Sequence, residues 1–194
     1  TRNESSAASD VYKRQEHAAS LFALKEFGNI YSRIGNPTVG ALEARLTALE
    51  EGAMCVALSS GTSAVMYSLI NIMSQGDNFI SASQLYGGTY TMFDNILPEY
   101  GINAKKVDIT DFKAVEESID EKTRAIYCET ITNPGLVVAD ITALSEIAHA
   151  NGIPLIVDAT FTTSAIQKSF DFGADIVVYS LTKWMSGHGR VIAG

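Results

Sequence analysis

Residues 140–158 read DITALSEIAHANGIPLIVD, and this order decides the fold. Within 140–150, Ile141, Leu144 and Ala148 fall along one face at helical spacing, so the stretch is expected to be a helix with one apolar side. The run LIVD at 155–158 is short and apolar, which is strand character. The same alternation continues in both directions. CVAL at 55–58, NFIS at 78–81, NAKKV at 103–107, AIYC at 125–128 and DIVVY at 175–179 read as further strands, with helix-like stretches at 62–73, 88–97 and 111–119 between most of them. Upstream, Val39, Leu42, Leu46 and Leu49 share a helical face, with Gly52 placed as a stop, and this helix is expected to cover the sheet. Strands alternating with helices indicate an α/β fold, a mostly parallel sheet with helices on both faces. Ligands of such a sheet sit beyond the carboxyl ends of its strands.

Composition narrows the function classes. The chain has 194 residues, 46% hydrophobic and 19% charged, the balance of one globular domain. A formal net charge of −8 argues against nucleic acid or an anionic membrane as the main partner, since no basic patch offsets it. No apolar run approaches the roughly 20 residues that span a bilayer, and the charged, apolar and small-residue order of a signal peptide is not seen, so a cytoplasmic setting is expected. Cys55 and Cys128 lie in apolar runs and read as reduced, buried thiols. His17, His149 and His188 are too scattered to suggest a metal site, and none is expected.

Residues 1–15 differ from the rest: polar, without period, ending in a small basic cluster. They are expected to be disordered. Ser5 to Gln15, SSAASDVYKRQ, also equals the in-frame translation of a widely used transposase adapter oligonucleotide, so residues 1–15 are expected to be a foreign tail. Residues 16–194 then form a partial domain whose natural sequence begins near Glu16.

Four features fall at strand ends. SSGTSA at 59–64 follows one strand and opens a helix, so Gly61 and Thr62 could present N–H groups to a phosphate, or the glycine could serve only a tight turn. Asp158 ends LIVD; a carboxylate there needs a cation or donor, which a protonated pyridinium nitrogen or a following turn would each supply. Lys183 in YSLTKWMSGHG stands among Ser180 and Thr182, where hydroxyls could hold phosphate while the amine bonds to an aldehyde, or where a solvated loop lysine could sit. Tyr86 in LYGGTY has paired glycines that leave room for a planar ligand against its ring, or it is a core tyrosine. Together they specify a planar pyridine with an aldehyde and a phosphate, pyridoxal 5′-phosphate.

The runs YSRIGNPT, SSGTSA, LYGGTY, ETITNP, IVDAT and SLTKW, in this order, resemble the Cys/Met-metabolism pyridoxal-phosphate enzymes, the cystathionine γ-synthase-like family. Residues 17–38 are most similar to its O-acetylhomoserine sulfhydrylases. The resemblance implies the large domain of the fold type I transferases, with the C-terminal small domain missing. It also implies γ-replacement on O-acetylhomoserine by sulfide or a thiol, giving homocysteine or methionine and acetate. Lys183 would be the Schiff-base lysine and proton carrier, Asp158 the pyridinium partner and Tyr86 the stacking ring, these three forming the catalytic set. Gly61, Thr62, Ser180 and Thr182 would bind phosphate, Asn133 would lie near the ring oxygen, and Glu129 would support the site. Tyr31 and Arg33 would reach the phosphate of a neighbouring subunit's cofactor, in a homotetramer built as a dimer of dimers. Ala159, Thr62 and Arg190 depart from common family residues without removing a group the chemistry needs.

Two alternatives stay open and a third is discounted. A methionine or cystathionine γ-lyase, or a cystathionine γ-synthase, would keep fold and cofactor. A catalytically silent fragment or assembly partner would keep neither activity nor tight binding. A nucleotide-binding domain is disfavoured because G-x-G-x-x-G does not follow the first strand.

Overall fold

The computed structural model describes residues 15–194. Residues 1–14, nearly all of the segment expected to be irregular and foreign, lie outside the described residues. Gln15 is instead the first residue of a helix. The chain divides between Ala57 and Leu58 into two compact units.

The first unit holds α1 (Gln15–Phe22) and α2 (Pro37–Glu50). α2 begins where it does because Asn36 Oδ1 accepts the N–H groups of Thr38 and Val39 at 2.9 and 3.3 Å, with Pro37 supplying a preset φ in the first turn. It ends at Glu51, which adopts the left-handed conformation (φ 55°), while the Gly52 N–H closes on the Thr47 carbonyl. Of the face expected to be buried, only Leu46 is; Val39, Leu42 and Leu49 stay about 40% exposed.

The second unit runs in the order α3 (Gly61–Ile70), β1 (Asn78–Ala82), α4 (Gly87–Thr91), β2 (Asn103–Val107), α5 (Phe112–Glu117), β3 (Thr123–Glu129), α6 (Ile141–Ala150), β4 (Leu155–Asp158), α7 (Thr163–Ile166) and β5 (Ile176–Val178). The five strands form one sheet in the order β2-β1-β3-β4-β5, every pair parallel. β1 is buried throughout and β3 nearly so, as expected of interior parallel strands. Edge strand β2 carries Lys105 and Lys106, charges that blunt an open ladder. Each is tied down, Lys105 by Asp120 at 2.7 Å and Lys106 by Asp94 with its Nζ 3.2 Å from the Tyr90 ring centre.

α6 matches its periodicity: Ile141, Leu144 and Ala148 are at most 2% exposed, and Asp140 caps the helix by accepting the Ala143 N–H. The core continues through an edge-to-face row, Phe79 on Phe93 at 4.8 Å and Phe93 on Tyr127 at 5.1 Å.

Two elements differ from expectation. The stretch 88–97 is not one helix: α4 gives way to a π-helical turn at Met92–Ile96 and a 3₁₀ turn at Leu97–Tyr100, where Pro98 brings no N–H to continue an α-helical ladder. Among the described residues CVAL does not join the five-stranded sheet. Its last residue, Leu58, exchanges both backbone hydrogen bonds with Gly194 (2.7 and 2.9 Å), while the Ala57 N–H is taken by Glu43 Oε1.

Candidate active site

Strand register places three chain positions side by side at the carboxyl edge: Glu129 pairs with Asp158, and Asp158 with Val178. Beyond that edge lies a cavity of about 930 Å³. Its lining is drawn wholly from the second unit and includes Lys183, Asp158 and Tyr86 together with Gly61, Thr62, Ser180 and Thr182. Glu129 and Asn133 line it too. Tyr31 and Arg33 belong to the first unit. There the Arg33 guanidinium donates to the Tyr31 hydroxyl at 3.0 Å and lies 5.3 Å over its ring, and among the described residues it pairs with no carboxylate.

The amino end of α3 opens on the cavity. Ser60 caps it, its hydroxyl accepting the Ser63 N–H at 3.1 Å. Gly61 is required for a steric reason: a Cβ there would stand 2.5 Å from Ser180 Cβ and 2.7 Å from its Cα. The glycine lets the Ser180 turn dock on the helix end, which puts the Ser180 and Thr182 hydroxyls in the same cavity lining as the first N–H groups of α3. Thr182 Oγ1 accepts the Ala193 N–H at 3.2 Å. A Gly61→Ala variant is expected to lose about 1–3 kcal/mol of stability, read by urea denaturation, as overpacking pushes the two turns apart.

Asp158 is held from two sides. Oδ1 accepts the Thr160 N–H at 2.9 Å, and Oδ2 accepts the Tyr127 hydroxyl at 3.3 Å. The turn-capping role that the sequence left open is therefore filled. It does not settle the charge: burial pushes the carboxyl above its usual range despite the Thr160 and Tyr127 hydrogen bonds, and no cation pairs with it among the described residues. Glu129, 5% exposed, is pushed up to about 7 by burial, with the charge of Asp158 adding to the effect against the backbone hydrogen bonds from Tyr86 and Asn133. Two neighbouring carboxyl groups raised by burial mark an edge that is short of positive charge.

Lys183 follows the β5 edge in a turn closed by its own N–H on the Ser180 carbonyl at 3.2 Å. Its side chain is exposed, and it has no hydrogen-bond or ion-pair partner among the described residues. Tyr86 is 49% exposed. Of the paired glycines, Gly88 makes room for this ring itself, since a Cβ there would lie 2.6 Å from Tyr86 Cε1, whereas a Cβ on Gly87 would meet nothing within 4 Å.

Two residues escaped the sequence reading. Thr160 joins the halves of the site, its N–H going to Asp158 and its hydroxyl accepting the Ser180 N–H at 2.7 Å. A hydroxyl two positions after a strand-end carboxylate was the available signal. Tyr127, fully buried, reaches Asp158 across strands 31 residues apart, a contact that only the register reveals.

As chemistry, this set suits one object. A carboxylate short of a cation suits a protonated ring nitrogen, an unpaired amine suits an aldehyde, and a helix end beside two hydroxyls suits a phosphate. The residues present therefore fit pyridoxal 5′-phosphate.

Comparison with known proteins agrees. The chain is 46% identical over 185 residues to the homocysteine synthase of Schizosaccharomyces pombe, covering 95% of this chain and 43% of that protein. It is 47% identical over 192 residues to O-acetyl-L-homoserine sulfhydrylase 1 of Thermus thermophilus, covering 95% and 44%. Among solved structures, an O-acetylhomoserine (thiol)-lyase of Campylobacter jejuni that carries an N′-pyridoxyl-lysine-5′-monophosphate superposes with a TM-score of 0.89 at 40% identity, covering 94% of this chain and 45% of that one. The chain thus spans less than half the length of the relatives it matches. No helix among the described residues is long and apolar enough to cross a membrane. Residues 3–194 match the family model described as Cys/Met metabolism PLP-dependent enzyme, and with that coverage the chain belongs to this family.

Proposed function

We propose that the protein carrying this chain replaces the acetoxy group of O-acetyl-L-homoserine with sulfide or a thiol, giving homocysteine or methionine and acetate. The observation that carries the reading is the convergence of Lys183, Asp158, Tyr86 and the α3 amino end on one cavity, in a chain similar to proteins named for that reaction. Bound pyridoxal phosphate supplies an aldehyde for the substrate amine and a ring that accepts the electron pair left at Cα.

The chain's own residues do the rest. Lys183 Nζ would hold the cofactor through its aldehyde and would serve as the base that moves the substrate's Cα proton. Asp158 keeps the ring nitrogen protonated, and Thr160 keeps Asp158 aimed. Gly61, Thr62, Ser180 and Thr182 bind the phosphate. Tyr86 and Asn133, both in the cavity lining, would hold the cofactor's ring, the tyrosine against its face and the amide near its oxygen.

The test is a product assay on a protein spanning the relatives' length. Acetate and homocysteine in equal amounts from O-acetylhomoserine and sulfide are expected. Ammonia and a keto acid from methionine or cystathionine would instead make it a γ-lyase. A chain that takes up no cofactor and shows no visible band would be a silent fragment. The setting proposed is the cytoplasm, where Cys55 and Cys128, both free, stay reduced.

The active assembly proposed is a dimer of dimers in which Tyr31 and Arg33 act on the partner's cofactor phosphate. An arginine stacked on a tyrosine and, among the described residues, unpaired with any carboxylate is a preorganised, permanently charged fork for phosphate oxygens. Arg33→Ala and Lys183→Ala proteins are each expected to be nearly inactive. Co-expressed, they should recover roughly a quarter of normal activity, because half of randomly formed two-fold dimers are mixed and each mixed dimer keeps one intact site. Mixed dimers without recovery would place both residues in one subunit's site.

A further inference from the structure

Glu129 is the buried carboxylate that the proposed chemistry leaves without a task. Its Oε1 accepts the N–H of Tyr86 at 2.7 Å, and its Oε2 accepts the N–H of Asn133 at 3.0 Å. Tyr86 lies in the turn after β1 and Asn133 in the turn after β3, so one side chain ties together two turns from adjacent strands. Both oxygens are engaged with main chain. A buried charge of this kind is costly without a cation, and two charge-assisted hydrogen bonds offset the cost.

We infer that Glu129 is the positioning residue of this cavity, a two-oxygen clamp that fixes the backbone from which the Tyr86 ring and the Asn133 amide project. The clamp itself is independent of the cofactor; its importance for cofactor geometry rests on the function proposed above. Only an ionised glutamate can do this. Glutamine of the same size has one acceptor oxygen, and its NH₂ would face the second N–H. A protonated glutamate is similarly crippled, since one oxygen becomes a hydroxyl. The clamp should therefore slacken as pH falls through about 7, where burial places this carboxyl. The ionisable groups around it are Asp158 on β4, Tyr127 and Cys128 on β3, and Tyr86, Lys183 and His188 in the cavity lining.

The test is amide hydrogen exchange, read by mass spectrometry on peptides covering 83–88 and 130–136, in the full-length protein and its Glu129→Gln and Glu129→Ala variants. At pH 8 the Gln variant is expected to exchange the Tyr86 or Asn133 amide at least about ten-fold faster, the equivalent of one lost hydrogen bond, with β1, β3 and β4 unchanged. In the unaltered protein, protection of both amides, corrected for intrinsic rate, should step down below about pH 7, and the Gln variant should show no step. With pyridoxal phosphate added, its induced circular dichroism should fall in the Gln variant while borohydride-fixed label stays on Lys183. Unchanged exchange at both amides in the Gln variant would overturn the clamp. Protection lost evenly through β3 and β4 without a pH step would equally overturn it, leaving Glu129 a core residue only. Label on a different lysine would condemn the cofactor assignment instead, and the exchange rates would still decide the clamp.

Discussion

Lys183→Ala protein is expected to show no visible band from covalently held pyridoxal phosphate and no label after borohydride reduction. Lys183 is the one lysine that lines the cavity among the described residues, and its amine is not occupied by a carboxylate. No second lysine among the described residues lines the cavity to replace it. Turnover by a protein of the relatives' length should fall by about a thousand-fold or more, because the proposed nucleophile and the proposed proton carrier are one side chain. Lys183→Arg sharpens the result: it keeps the positive charge but offers no nucleophile, so it should fail as fully as alanine. A reduced label recovered on another lysine would refute the assignment.

Asp158→Asn should cost roughly a hundred- to a thousand-fold in kcat while leaving the protein folded, and Asp158→Glu should cost much less. The amide oxygen can still accept the Thr160 N–H, so the turn survives; only the charge is gone. Stability provides a separate check. Because the folded-state carboxyl is raised, Asp158 stabilises the ligand-free protein most where it is protonated, and that contribution is lost as pH rises through the raised value. The Asn variant, which has nothing to lose, should therefore compare more favourably with the parent in melting temperature at neutral pH than near pH 4. Near-normal rates in the folded Asn variant would reduce Asp158 to a turn cap.

How far the sequence could be read depended on whether a residue's partners were local. LIVD became a strand with the expected ends because its apolar run is bounded by its own chemistry, Pro154 before it and Asp158 at its end, and NAKKV did so as an edge strand. Hydroxyls, a lysine and a carboxylate at strand ends could be collected into a site because parallel topology gathers all such ends along one edge. Residues whose meaning lies in a distant partner stayed hidden. CVAL has strand composition, but among the described residues only Leu58 finds a backbone partner, in Gly194, and pairing is not a property of one segment. Tyr127 looks like any core aromatic until β3 and β4 are set in register and its hydroxyl meets Asp158. The two glycines after Tyr86 read alike, yet one makes room for the ring and the other faces open space. The functions of Tyr31 and Arg33 rest on family resemblance, since their local geometry gives only a charge held ready.

The strand order also sets a timetable for synthesis. β1, β2 and β3 are adjacent in the sheet and leave the ribosome first, so the half that bears Tyr86, Glu129 and Asn133 can pair before Asp158 and Lys183 have been translated. The Glu129 carboxylate then waits beside an unfilled strand position until β4 docks. β5 follows the other four described strands in chain order and brings the Ser180 turn onto Gly61. The part of the cavity lining drawn from α3 and from the turns after β1 and β3 is therefore made before the part that β4 and β5 bring to it.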